Sequence, residues 1–329
     1  MKKTALITGI AGQDGAYLSR LLLDKGYRIF GLLPRSTGYA FANLDYLGIT
    51  KDVSFLDGDM TDEASLIYAV RTTNPDEVYN LAAQSFVGMS WQQPLVTADI
   101  NAIGTLRLLE AVRNFAPKAR FYQASTSEMF GDCGNDGIQS EETPFHPQSP
   151  YAIAKLFAFW IVNNYRTSYG MFCANGILFN HESPIRGKEF VTRKISYNVA
   201  KIKLGLLDRF ALGNLDSKRD WGFAGDYVEA MHLMLQQETP ENFLLSTGEA
   251  HSIRDFLNVA FGHVGITDWG KHVYLDPAFS RPAELLRLQG SCQKAWDKLK
   301  WRPRVSFDEL VCMMVDADLA RLRASATEA

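Results

Sequence analysis

The stretch Thr4-Ala5-Leu6-Ile7-Thr8-Gly9-Ile10-Ala11-Gly12-Gln13-Asp14-Gly15 carries an apolar run of strand length straight into a TGxxGxxG turn. An amphipathic segment over 17–25 follows and stops at Gly26, so the order is strand, glycine turn, helix. In such a turn Gly9 permits the tight reversal, Gly12 lets backbone amides approach a pyrophosphate, and Gly15 lets the helix lie close to the strand. Together with Gln13 and Asp14 they set the positive end of a helix against an anion, which predicts a dinucleotide site.

Working outward, strand-like runs recur at 28–33, 53–56, 77–81, 120–124 and 172–178, with helical segments between them. That alternation predicts an α/β chain built on a Rossmann-type doubly wound parallel sheet. Segments 94–115 and 150–169 read as helices flanking the sheet near its far edge, and either could serve a dimer interface. From about Asn180 the alternation weakens into Gly-, Pro- and charge-rich loops at 181–188, 213–220 and 276–284. The expected division is a mainly dinucleotide-binding domain with the catalytic residues over 1–179. A smaller mixed α/β substrate-binding region would cover 180–329, with the two parts interleaved.

At 329 residues, 47% hydrophobic and 22% charged, the chain can bury a sizeable core. A formal net charge of −3 without a basic run argues against nucleic acid or a membrane as the partner and favours a small molecule. Cys133, Cys173, Cys292 and Cys312 are scattered without ligand spacing, which predicts reduced thiols and no metal site. Lys2 and Lys3 precede an apolar run too short for a signal segment or a membrane span, so a cytoplasmic location is expected.

The cofactor can be read at the ends of the strands. The second strand ends Leu32-Leu33-Pro34-Arg35-Ser36-Thr37, with no acid for a ribose 2′-hydroxyl. Arg35 and Ser36 suit a 2′-phosphate, so NADP is favoured over NAD, the alternative being that Arg35 is a solvated loop residue. Asp59-Met60 fall where a carboxylate would meet adenine, and Leu81-Ala82-Ala83 where a chain end would pass beneath the nicotinamide ribose.

Tyr151 and Lys155, in Ser149-Pro150-Tyr151-Ala152-Ile153-Ala154-Lys155, are spaced to share a helix face, so the ammonium can favour phenolate and make Tyr151 a base near neutral pH. YxxxK alone occurs on many surface helices; the upstream nucleotide turn gives it weight. Thr126 and Glu128 stand in a Ser-Thr-Ser-Glu run that completes a candidate catalytic set.

Glycine turn, Ser-Thr-Ser-Glu and YxxxK together resemble the extended short-chain dehydrogenase/reductase family. The likeness extends over nearly the whole chain: 8–15, Glu77-Val78-Tyr79-Asn80-Leu81-Ala82-Ala83-Gln84-Ser85, Phe121-Tyr122-Gln123-Ala124-Ser125-Thr126-Ser127-Glu128, Leu178-Phe179-Asn180-His181-Glu182-Ser183-Pro184, Phe190-Val191-Thr192-Arg193-Lys194, Arg219-Asp220-Trp221-Gly222 and Arg281-Pro282-Ala283-Glu284. The last four runs are similar to those of its GDP-sugar dehydratases. The resemblance implies 4,6-dehydration of a GDP-hexose, GDP-mannose foremost, with transient hydride transfer to NADP. Tyr151, its pKa lowered by Lys155 and the cofactor, would take the 4-hydroxyl proton while Thr126 relays a hydrogen bond. Glu128 would abstract the C5 hydrogen and protonate the departing 6-hydroxyl. By the same resemblance Ser85, Asn180, Val191, Lys194, Arg219, Arg281 and Glu284 would hold the GDP-sugar, and His181 and Arg186 the cofactor. Arginine forks suit a diphosphate, and Glu284 can accept from guanine N–H groups. From the residues alone, Arg219-Asp220 could instead be a structural ion pair, Asn180 a turn former and His181 a loop residue, and Trp221 reads as core.

A homodimer or homotetramer is implied as well. The chain departs from the family pattern at Pro34-Arg35-Ser36, where two adjacent arginines usually precede the serine. That loop bears on the tetramer and on the grip on NADP rather than on the chemistry. The short loop 132–139 is placed to shape sugar selectivity. Alternatives are a dehydratase of another GDP-hexose or GDP-heptose, a nucleotide-sugar epimerase or decarboxylase sharing Thr126, Tyr151 and Lys155, and a non-catalytic nucleotide-binding scaffold.

Overall fold

The chain is described as a computed structural model covering residues 2–34, 41–132, 137–279 and 285–327. Its centre is a seven-stranded, wholly parallel sheet: β1 (Thr4–Thr8), β2 (Arg28–Leu33), β3 (Ser54–Asp57), β4 (Glu77–Asn80), β5 (Arg120–Thr126), β6 (Cys173–Leu178) and a last strand, Phe243–Leu245. The spatial order is β3-β2-β1-β4-β5-β6 followed by Phe243–Leu245. β1, β4 and β6 are buried along their whole length, as strands covered on both faces by helices must be. Succession reverses between β1 and β4, and at such a switch point the carboxyl ends of the strands open a crevice for a ligand.

β3, β4 and β6 differ from the sequence reading by one residue at one end or both, and three differences are larger. The first helix runs Gln13–Asp24, starting directly after Gly12 rather than at Tyr17, because its opening residues Gln13, Asp14, Gly15 and Ala16 carry no apolar periodicity. β5 continues two residues beyond Ala124, through Ser125 to Thr126, paired opposite Ile177 and Leu178. The last strand was not expected: three residues, Phe243-Leu244-Leu245, are too few to show a period, and parallel pairing with β6 makes them a strand.

The 94–115 segment is helical throughout but contains a π turn at Asp99–Ile103, between Pro94–Ala98 and Gly104–Phe115. Asn101 in that turn accepts from the Gln84 amide at 2.9 Å and donates to the Gln84 carbonyl at 3.0 Å. The turn thus holds the segment that follows β4.

Beyond residue 180 short strands pair into two- and three-stranded sheets, Trp221–Phe223 with Asn180–Glu182 and Lys218–Arg219 with His251–Ser252 and Arg287–Leu288. A separate apolar core joins the helices Val191–Lys203, Ile253–His263 and Phe307–Thr327, and Trp221 is buried within it. The helix Ala224–Leu235 packs instead against the first helix and the main sheet, so chain from the second half returns to the first.

Candidate active site

Tyr151 and Lys155 are placed by the start of their helix. Ser149 caps it, accepting from the Ala152 amide at 3.1 Å, and Pro150 occupies the first turn, where its missing N–H costs nothing. Both side chains fall on the buried face, 8% and 3% exposed. Thr126 ends β5 and caps the short helix Ser127–Phe130, accepting from the Glu128 amide at 3.3 Å. That turn brings the half-buried Glu128 round to face Tyr151.

These four side chains line one cavity. Asp14 comes to it from the glycine turn, Leu81, Ala83 and Ser85 from the end of β4, and Asn180, His181 and Arg186 from the segment after β6. Phe86, Val87, Ser127 and Phe190 also line it, with Ala124, Ser125, Leu178 and Phe179 from the ends of β5 and β6; Phe86 and Phe190 meet edge to face at 5.8 Å. Isolated aromatics gave no sequence signal for this position, whereas Ser127 lies inside the Ser-Thr-Ser-Glu motif.

The electrostatics correct one expectation. Burial pushes the Tyr151 phenol up to about 12, with the hydrogen bond to Thr126 pulling partly the other way and the Glu128 charge adding to the rise. The ammonium expected to depress it does not pair with the hydroxyl. Lys155 Nζ donates to the Ala124 carbonyl at 2.9 Å and lies 5.9 Å from the Tyr151 ring centre. Burial in turn lowers Lys155 to about 8.

His181 is held through both ring nitrogens, Nδ1 at 2.7 Å from the Phe179 carbonyl and Nε2 at 2.7 Å from the Asp14 carboxylate. The Phe179 carbonyl can only accept, so Nδ1 carries hydrogen, and an ionised Asp14 favours hydrogen on Nε2 as well. Burial alone would lower His181, but the Asp14 charge and hydrogen bond prevail and raise it; the same pairing holds Asp14 below its usual range against its own burial. His181 also stacks on Tyr227 at 4.7 Å. Gln13 donates to the His181 carbonyl at 3.0 Å and accepts from Ser183 at 2.7 Å, tying glycine turn and post-β6 segment together. Arg186 lies over Phe190 at 3.5 Å, its Nε 3.1 Å from the buried Glu182.

The glycine turn suits a dinucleotide phosphate. Gly9 adopts φ +68°, and a Cβ there would come within 2.8 Å of the Ala82 amide nitrogen. A Cβ on Gly15 would stand 2.4 Å from the Gly9 carbonyl, so helix and turn touch only because it is absent. Gly12 begins the helix without a side-chain cap, which leaves first-turn amides for an anion.

Other candidates do not meet the cavity. Asp59 accepts from the Thr61 amide at 2.8 Å and hydroxyl at 2.7 Å, and the Met60 side chain is in the core. Val191, Lys194 and Arg219 do not line it; Lys194 Nζ sits 3.3 Å over the Phe279 ring, and Arg219 donates to the Leu285 carbonyl at 2.9 Å. Asp220 does not take its neighbour Arg219 as its anchor but accepts from Thr247 and Gly248. Arg35, Ser36, Arg281 and Glu284 lie outside the described residues, as do positions 133–136 of the 132–139 loop.

A family model of GDP-mannose 4,6 dehydratase matches residues 6–314. The GDP-mannose 4,6 dehydratase 1 of Arabidopsis thaliana is 50% identical over 97% of this chain and 90% of its own. The GDP-mannose 4,6 dehydratase of Cricetulus griseus is 49% identical over 98% of this chain and 93% of its own. Among solved structures, the UDP-glucose 4-epimerase of Thermus thermophilus in complex with NAD superposes with a TM-score of 0.84 at 28% identity, covering 96% and 98% of the two chains.

Proposed function

The chain belongs to the GDP-mannose 4,6-dehydratase family, and from that premise we propose that it removes water from GDP-mannose to leave the 4-keto-6-deoxy sugar nucleotide. The observation that carries this reading is the convergence of Thr126, Glu128, Tyr151 and Lys155 with Asp14 on a single cavity. A nicotinamide dinucleotide held by the glycine turn would supply a positive charge and a reversible store for the hydride that leaves the sugar C4 and returns at C6. Tyr151 takes the O4 proton, with Thr126 holding the phenol oxygen in place. Once C4 is a ketone, the C5 hydrogen is acidified, and Glu128 removes it and protonates the departing 6-hydroxyl; with hydride returned to C6, a proton delivered to C5 completes the product and balances the one Tyr151 took from O4. Redox balance is internal, so no external oxidant is consumed.

The cofactor is taken to be NADP, because no acid stands at the end of β2 to meet a free 2′-hydroxyl and Arg35 and Ser36 follow at once. His181 and Arg186 would contact it from the post-β6 segment. Ser85 and Asn180 would meet the sugar in the cavity, and Val191, Lys194, Arg219, Arg281 and Glu284 the GDP portion beyond it. Titration with each dinucleotide should show tighter binding of NADP, and Arg35→Ala should remove the difference; equal affinities in the parent would reassign the cofactor.

A homodimer fits one surface. Ile153, Phe157 and Trp160 lie exposed along one face of the helix Pro150–Tyr169, beside exposed Leu95, Val96 and Ile103 on the neighbouring helical segment. Contiguous apolar surface of this kind marks an interface.

The test of the reaction is to incubate the protein with GDP-mannose and catalytic NADP and to seek by mass spectrometry a product lighter by one water. Water loss without net NADPH supports the assignment. Loss only from another GDP-sugar would move the substrate, and stoichiometric NADPH without water loss would replace dehydration with oxidation.

A further inference from the structure

A chain of buried hydrogen bonds runs from the nucleotide side of the sheet to Lys155, and its direction is forced. The backbone amides of Leu81 and Ala82 can only donate, and both donate to the Thr8 hydroxyl oxygen, at 3.1 and 3.0 Å. Thr8 must therefore spend its own hydrogen on Asn80 Oδ1, at 2.7 Å. That orients the Asn80 amide so that its nitrogen donates to Thr105 at 3.1 Å and to Gln123 Oε1 at 2.8 Å. Gln123 is oriented in turn: its nitrogen donates at 3.1 Å to the Ala124 carbonyl, the same oxygen that receives Lys155 Nζ at 2.9 Å. Thr8, Asn80, Gln123 and Lys155 are all buried, and Gln123 does not line the cavity.

We infer that Gln123 is a positioning residue for Lys155: by sharing the Ala124 carbonyl, at the end of a chain whose polarity is set at Leu81 and Ala82, it fixes the seat of the ammonium and weakens the carbonyl's hold on it. The shared oxygen offers less negative potential to Nζ than it would alone. The inference rests on the reading of Lys155 as a member of the catalytic set, but its first test needs neither substrate nor cofactor. The other ionisable groups around the cavity are Asp14, Glu128, Tyr151, His181 and Arg186, and none of them is altered in the experiment.

Two variants address it. Gln123→Glu can still accept from Asn80, so the fold keeps its buried partner, but its carboxylate cannot donate to Ala124 and adds negative charge beside it. Gln123→Met removes both bonds at similar length and guards against a Glu that stays protonated. The readout is the Nζ titration of Lys155 in lysine-labelled protein by nitrogen NMR, assigned by loss of the signal in Lys155→Met. Removing the donor should raise the Lys155 midpoint in both variants, by about one pH unit in Gln123→Glu and less in Gln123→Met. In protein loaded with cofactor and substrate, the alkaline limb of the single-turnover rate should move the same way while substrate Kd holds. An unmoved midpoint in both variants would overturn the inference even if thermal stability fell, since a merely structural role predicts only that fall. Failure of the dehydration assay in the parent protein would instead count against the assigned reaction and leave the titration standing.

Discussion

Glu128 and Tyr151 sit on opposite arms of the same cavity, one delivered by a capped turn after β5 and one by the second residue of a helix, so substitution should separate their roles. Glu128→Gln keeps the hydrogen-bonding shape but cannot take the C5 proton. Overall turnover should fall on the order of 10²- to 10⁴-fold, while reduced cofactor accumulates when substrate is added; absorbance of NADPH reads this directly, and unchanged dehydration would remove Glu128 from the mechanism. Tyr151→Phe should abolish product and NADPH formation together. A third test concerns the His181–Asp14 pair. His181 is raised above its ordinary value in the fold, so the stability it lends is fully present below the ordinary imidazole range and is lost as pH rises through the raised value. Asp14 is lowered, so its share is lost only as pH falls through that lowered value, on the acid side of the ordinary carboxylate range. The melting temperature of the parent minus that of Asp14→Asn should therefore be largest between these limits and shrink on the alkaline side. A difference that does not shrink on the alkaline side would contradict the raised value of His181. The pair is partly exposed, so breaking it should cost less than the about 3–5 kcal/mol of a fully buried one.

Among the elements, the π turn at Asp99–Ile103 has the clearest consequence. It turns Asn101 toward the strand ends, where its amide satisfies both backbone groups of Gln84 and so steadies the run that supplies Leu81, Ala83, Ser85 and Phe86 to the site. Asn101→Ala would leave those groups unpaired, at about 1–3 kcal/mol, and should weaken dinucleotide binding more than it slows the chemical step; dissociation constants and single-turnover rates at saturation distinguish the two. Nothing in the local sequence marks this turn, because a π turn differs from an α-helix by one residue and leaves the apolar pattern almost intact. β1 and the helix after it were legible by contrast, since an apolar run meeting glycines at fixed offsets admits few other backbones.

At the scale of the molecule, the exposed strip of Ile153, Phe157 and Trp160 beside Leu95, Val96 and Ile103 predicts assembly. Light scattering should report a dimer, and Trp160→Glu should shift it toward monomer with its fold kept; a monomeric parent would free this face for another explanation. The sequence by itself determined the doubly wound sheet and the glycine turn and proposed a catalytic set, because these follow from short-range rules: period, glycine offsets and the four-residue spacing of Tyr151 and Lys155. Only the tertiary structure decided where the charges go. Lys155 turns to the Ala124 carbonyl rather than to the phenol, His181 pairs with Asp14 from far away in the chain, and Phe243–Leu245 becomes the seventh strand. Burial and long-range pairing set proton affinities and strand partners, and neither is written in the neighbours a residue has along the chain.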